Sequence, residues 1–324
     1  MAADDARTYL QTLEGALHVD PQTRSAVMSE VSSHVAERRE ELESEGLAPE
    51  AAEERALRDF GNPKQIAESL YSVHAIARGR DMVLAVVPHL AIATLFRFHL
   101  WVELFWVGVA LVVALGAVTV AWLRGLPKWA APWLGYALIL PVLTLLLSVA
   151  ALGYGVWMFF TSGQAPLSLT VYAVIAAWTP LCALVVFTVA RRTISYDWLL
   201  GSLAALPVPF MAAWLFLLHW RGGVLIPDRV RALETDAATA AVFVALAAFT
   251  ALFMSVGKRS RRLLILLTAT PPLIVLAVTR YHTTLGLPGI LAITGLGLLL
   301  VLSPILLDPA ERANLPWKRG ATAP

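Results

Sequence analysis

Apolar positions follow two regimes along the chain. Over the first 75 residues they recur at helical spacing between charges; beyond residue 80 they fuse into long runs. In "DDARTYLQTLEGALH", Tyr9, Leu10, Leu13 and Leu17 make one helical stripe. Asp20-Pro21 then reads as an N-cap followed by proline at the first helical position. The second helix runs to about Glu45, with Val27, Val31, Val35 and Leu42 on its buried face, and Gly46 ends it. "LAPEAAEERALRDFGN" predicts a short third helix: Pro49 suits its first turn, and Glu50, Glu53 and Glu54 suit its positive end. Ala52, Ala56, Leu57 and Phe60 form its apolar side. Gly61 supplies the left-handed residue that stops it, Asn62 caps the fourth helix and Pro63 opens it. Ile66, Ala67, Leu70 and Tyr71 continue the packing face. His34 falls beside the stripe of the second helix, where a hydrogen bond between helices is expected over a ligand or pH-sensing role.

The later runs are long enough to cross a bilayer, which takes about 20 residues per helix. Spans are expected at 82–99, 103–123, 133–160, 168–190, 197–219, 237–256, 263–280 and 287–307. The first is the weakest, because its apolar core is short and Arg97 and His99 follow. Residues 82–123 could instead form a re-entrant hairpin, leaving six spans. The expectation is therefore an all-α protein: a helical bundle over 1–80, a membrane domain over 81–308 and a tail over 309–324.

Charge sharpens this division. Residues 1–80 hold 15 Asp/Glu against 9 Lys/Arg, a net of −6, while the remainder carries +8. An acidic front bundle repels phosphates, so direct nucleic-acid binding by it is not expected. With eight spans and the N-terminus inside, the inner segments hold 13 Lys/Arg and the outer ones 5. That bias predicts both termini on the cytoplasmic side of a cell membrane. The front segment has no apolar core of a signal peptide. The single cysteine, Cys182, excludes a disulfide framework or a cysteine zinc site, and no phosphate loop or nucleophile–base signature is present. The sequence implies no cofactor and no catalytic residue, so an enzyme is not expected.

The pattern "YLQTLEGAL…R…E…H…E…E.EG.AP.AAE.RAL.DFGNP.QIAESL" resembles the HAAS signalling domain, also met in related form as the permease prefix domain. The resemblance covers about residues 4–72. Tyr9, Leu10, Leu13, Leu17, Arg24, Glu30, His34, Gly46, Pro49, Ala52, Ala56, Phe60, Gly61, Pro63, Ile66 and Leu70 carry it, and the FGNP junction is its most specific part. It implies a cytoplasmic domain on a bacterial membrane protein, encoded beside a PadR-like transcription regulator to which it relays signals. "PHL" at 88–90 and "PKWAAPWLGY" at 127–136, read as an interfacial tryptophan loop, resemble segments that often follow such a domain.

Polar residues in or near the membrane are the remaining candidates. They are Arg97, His99, Glu103, Asp197, His219, Arg280 and His282. His99 and Glu103 are four apart, so they would share a face if the helix continued, and could relay protons or hold a metal ion. An outer turn meeting water is the expected reading. His219, next to Trp220-Arg221, and His282, after Arg280, read as interface residues. Pro180, Pro207, Pro209, Pro271 and Pro272 lie within expected spans, as in the broken helices of transporters, but no mid-span acid accompanies them. The loop 221–236 has enough apolar surface to lie on the bilayer. The leading function is a membrane sensor whose bundle docks a PadR-like regulator, and the alternative is a transporter or permease under a regulatory domain. An intramembrane enzyme would need His99, Glu103 and His219 to converge.

Overall fold

The computed structural model describes residues 2–19, 21–77, 79–164, 166–194, 197–211, 214, 229–281 and 286–307. Those residues form helices, turns and loops, with no strand among them. The front bundle consists of α1 (Ala2–Ala16), α2 (Pro21–Ser44), α3 (Pro49–Phe60) and α4 (Pro63–His74). Leu13, Leu17, Val27, Val31, Val35, Ala67 and Tyr71 form its main core, and Leu42, Ala52 and Ala56 a second cluster between α2 and α3.

The predicted stops hold in detail. Gly46 and Gly61 take φ of +97° and +90°, where a side chain is strained. The Gly61 N–H closes α3 onto Leu57 and Arg58 carbonyls, and the Asn62 side chain accepts from Lys64 N–H at 2.9 Å. The predicted cap at Asp20 lies outside the described residues. Arg38 bridges α2 to α3 through Asp59 at 3.1 Å, and Arg24 Nη2 donates to the Leu17 carbonyl at the end of α1.

The apolar part comprises α5 (Gly79–Arg97), a 3-10 turn (Leu100–Val102), α6 (Leu104–Leu123), α7 (Ala130–Ser162), α8 (Leu169–Ile194) and α9 (Trp198–Ala205). After a turn at Leu206 the chain is helical again over 207–211. Then follow α10 (Arg229–Ser255), α11 (Arg259–Tyr281), α12 (Leu287–Leu302) and the short α13 (Pro304–Leu307). Among the described residues, six helices are long and apolar enough to cross a membrane: α5, α6, α7, α8, α10 from Asp236, and α11 to Thr279.

Six of the eight expected spans are thus present at full length among the described residues, the pair 82–123 included. α5 and α6 are separate helices of 19 and 20 residues, each long enough to span. At the other two expected positions the apolar helices are shorter over the described residues, Trp198–Met211 and Leu287–Leu302, and most of 212–228 lies outside those residues. Pro207 and Pro209 have no N–H to continue the ladder, so its hydrogen bonds lapse at Leu206 while the backbone stays helical; Pro304 does the same after α12. By contrast Pro88, Pro141, Pro180, Pro271 and Pro272 sit within continuous helices.

α10 lies at the centre, with 56% of its apolar window buried against 6% for α8. It runs antiparallel to α5: Ala77 N–H meets the Met254 carbonyl at one end, and His99 meets Asp236 at the other. Leu104, Leu123, Phe160 and Leu169 are among the large apolar side chains left exposed, as a lipid-facing surface requires. "PKWAAPWLGY" is a loop only to Trp129. Its remainder is the start of α7, a helix of 33 residues, about 50 Å long. That exceeds the roughly 30 Å of a bilayer core, and its first turns are buried in protein rather than lipid.

Candidate functional site

The site begins where the bundle meets the membrane helices. Each long helix end here carries unpaired backbone groups that need partners. Asp197 caps α9, accepting from Leu199 N–H at 3.1 Å, and its other oxygen accepts from the Tyr71 hydroxyl of α4 at 2.7 Å. Arg262, in the first turn of α11, completes the group. Its Nη1 donates to the Tyr71 hydroxyl (3.2 Å), its Nη2 to the Ala75 carbonyl (2.5 Å) and its Nε to the Val256 carbonyl (2.8 Å). Arg259 stands 3.9 Å from Asp197, and the Arg262 guanidinium lies 5.0 Å from the Phe253 ring centre.

Both charges are buried, each 1% exposed. An ion-bearing group at that depth persists only with its hydrogen bonds filled, and here they are. Arg262 holds the carbonyl that ends α4 and the carbonyl that follows α10, so one side chain joins the bundle to the membrane part. Burial first, and the Asp197 carboxylate second, push ionisation of the Tyr71 hydroxyl well above its ordinary range. The backbones also touch: a Cβ at Gly257 would overlap the Ser72 carbonyl oxygen. A pocket beside the network is walled by His18 and Val19 of the bundle, Lys128 and Leu134 around the start of α7, and Thr193 and Leu200.

A second polar group lies inside the helices. Pro88 deprives the Leu84 carbonyl of its N–H partner, and Trp133 Nε1 of α7 takes that place at 2.8 Å. One residue on, His89 is fully buried, its Nδ1 2.7 Å from the Tyr136 hydroxyl and its Nε2 2.8 Å from Thr250 Oγ1. "PHL" and "PWLGY" thus meet, tying α5 to α7 and α10. A neutral imidazole donates from one nitrogen and accepts at the other, which fits two hydroxyl neighbours. Gly135 lets α7 approach α9, where a Cβ would overlap the Ala204 carbonyl oxygen.

At the far end, the expected His99–Glu103 pair does not form. His99 takes φ of +58° and stops α5, so no continuous helix puts the two on one face. His99 Nδ1 instead meets the Asp236 carboxylate, which also accepts from Trp101 Nε1 at 2.8 Å. Glu103 and Arg97 are exposed, as an outer turn predicts. His219 and His282 lie outside the described residues, as does the side chain of Arg280. His34 is exposed, and its near neighbour is Glu37 of the same helix at 3.5 Å rather than a second helix.

Of the signature residues, Leu13 is in the core and Phe60 packs against it. Tyr9 donates its hydroxyl to the Gly61 carbonyl at 3.1 Å, so two distant motif positions meet at the FGNP turn that Pro63 follows. Gly46 ends α2. Asp197 was legible as a near-membrane acid. Arg262 was counted only as loop charge, though it stands on the stripe Arg262, Leu266, Thr270 and Ile274 that α11 buries. Extending that stripe back toward the helix start would have found it.

The chain is thus an all-helical protein with a helical N-terminal bundle fixed onto several helices able to cross a membrane. Residues 8–69 match the family model of the HAAS domain. No curated protein and no solved structure matches the chain.

Proposed function

We propose that the protein is a membrane signalling protein, not an enzyme, whose acidic bundle docks a PadR-like transcription regulator. The observation that carries the reading is the Tyr71–Asp197–Arg262 network, which ties the HAAS-matching bundle to α9 and to the membrane-length helix α11. A shift of α9 or α11 must either drag α4 or break buried charge-assisted hydrogen bonds. Either outcome alters the surface the bundle offers, which is what a relay needs. Arg124 and Lys128 between α6 and α7, Arg191 and Arg192 in the last turn of α8, and Lys258 to Arg262 at the start of α11 lie at the helix ends nearest the bundle, while Arg97 lies at the far end of α5. This supports a bundle and termini on the cytoplasmic side of an inner membrane. The net charge of −6 over 1–80 argues for a protein partner rather than nucleic acid.

The test is binding of the neighbouring PadR-like regulator to the full chain in nanodiscs. Binding tighter than roughly 10 μM, weakened by Glu50→Gln/Glu53→Gln/Glu54→Gln, is expected. No binding at that concentration across several salt conditions overturns the docking reading. The transporter alternative draws on the proline-interrupted hydrogen-bond ladder at Leu206 and would show as substrate flux in proteoliposomes.

A further inference from the structure

The front bundle covers its large apolar side chains, with one exception. Among the described residues up to Ala77, Val73 and Ile76 alone are large, apolar and exposed, at 66% and 46%. Val73 stands in the last turn of α4, and Ile76 lies two residues past the helix end. Their neighbours Tyr71 and Ala75 are buried and held by Arg262, which fixes this stretch in place. Its depth is fixed as well. The Ala77 N–H donates at 3.0 Å to the carbonyl of Met254, which lies within the apolar span of α10. Ile76 Cδ1 lies 3.3 Å from where a Cβ on Gly257 would stand, just past the end of α10. The link after α4 is therefore level with the last turn of a membrane-length helix.

The next exposed large apolar side chains belong to α5, where Val83, Val87 and Leu90 face outward. From Val73 and Ile76 through Arg80 to these three, exposed positions recur every three or four residues. Arg80 is exposed at the start of α5, where a long basic side chain reaches headgroups while its stem stays in the apolar layer. We propose that the end of α4 and its link to α5 seat in the leaflet on the bundle side, with Val73 and Ile76 at the boundary between headgroups and acyl chains. Apolar side chains beside a basic flank suit insertion to that shallow depth. The patch continues onto the lipid-facing side of α5. Two side chains also fall far short of the roughly 800 Å² that each partner gives to a stable protein interface, so the occupant that fits is lipid. The bundle is then held at two places, by Arg262 from within the protein and by the bilayer from outside. The inference needs α5 to lie in a membrane and does not depend on the regulator.

The single native cysteine, Cys182, is buried, and Cys182→Ala in the full chain gives a background for labelling. Val73→Cys, Ile76→Cys, Val83→Cys and Glu30→Cys are each added to it, labelled with the fluorophore NBD and reconstituted in phosphatidylcholine nanodiscs with and without spin-labelled phosphatidylcholine. The labels at 73 and 76 should be quenched by the spin-labelled lipid roughly threefold more strongly than the label at 30, on the exposed side of α2, and the label at 83 at least as strongly. Iodide in the buffer should quench the label at 30 and spare those at 73 and 76. Lipid quenching at 73 and 76 no stronger than at 30, or iodide quenching as strong, overturns the leaflet contact while quenching at 83 leaves the membrane placement of α5 standing. An unquenched label at 83 removes that placement and the inference with it. Should the alanine background not fold, Cys182 is retained, its own labelling is subtracted, and the same comparison decides.

Discussion

Arg262 concentrates the largest consequence in one side chain. Arg262→Gln removes the buried charge-assisted bonds to the Tyr71 hydroxyl and the Ala75 carbonyl, so a loss of about 2–3 kcal/mol is expected. Amide hydrogen exchange at Ala77, whose N–H bonds Met254 across the same junction, should accelerate with it. Tyr71→Phe removes a single hydroxyl and should cost about 1–2 kcal/mol. Because the two residues share a hydrogen bond, the double variant should cost less than the sum. The same hydroxyl gives the junction a pH dependence. Docked Tyr71 holds its proton above the ordinary value of 10.0, where an undocked tyrosine begins to lose it. The stabilisation is complete below pH 10 and falls as pH rises beyond it. Melting temperatures measured from pH 8 to 11 should drop faster in the wild type than in Tyr71→Phe. Gly61→Val tests the predicted stop of α3: no atom lies within 4 Å of an added Cβ, so the cost is the φ of +90° alone. About 1–2 kcal/mol is expected, and an unchanged melting temperature would remove the cap assignment.

At the level of the element, the sharpest case is the helix pair α5 and α7. Trp133→Phe should cost about 1–3 kcal/mol because the Leu84 carbonyl is left without a donor. Pro88→Ala restores a backbone N–H to that carbonyl. The double variant should therefore recover much of the Trp133→Phe loss, and additive losses would show that the indole bond is incidental. The elements themselves were legible. Val27, Val31, Val35 and Leu42 are buried as the stripe on α2 predicts, and the proline–glycine punctuation marked both ends of α3 and the start of α4. In the apolar half, run length found the helices but not which ones span. Hydropathy does not separate a proline inside an unbroken ladder, such as Pro180, from Pro207, beside which the hydrogen bonds of α9 lapse. A rescuing neighbour such as Trp133 comes from another element.

Across the whole molecule, the division into a bundle and a lipid-facing helical part follows from where charge stops and apolar runs begin. The junction does not. Tyr71, Asp197 and Arg262 come from three stretches of chain, and each has an ordinary local explanation as packing residue, helix cap and positive loop charge. His99 shows the same limit: sequence offered Glu103 four residues away, while the fold supplied Asp236, 137 residues away. Contacts at that separation leave no local period to read.

The bond between Arg262 and the Ala75 carbonyl spans 187 residues, and this sets an order on biosynthesis. The bundle leaves the ribosome before the membrane helices, yet the end of α4 has no arginine to hold it until most of them have been made. Throughout that interval the Ala75 carbonyl has no arginine donor, and of its two partners in the network Tyr71 can meet only Asp197. The front domain therefore reaches its final, fixed state last, and its attachment reports that α11 has been inserted. A chain stalled before residue 262 carries a folded but unmoored bundle, and limited proteolysis of such stalled chains should cut between α4 and α5 where the finished protein resists.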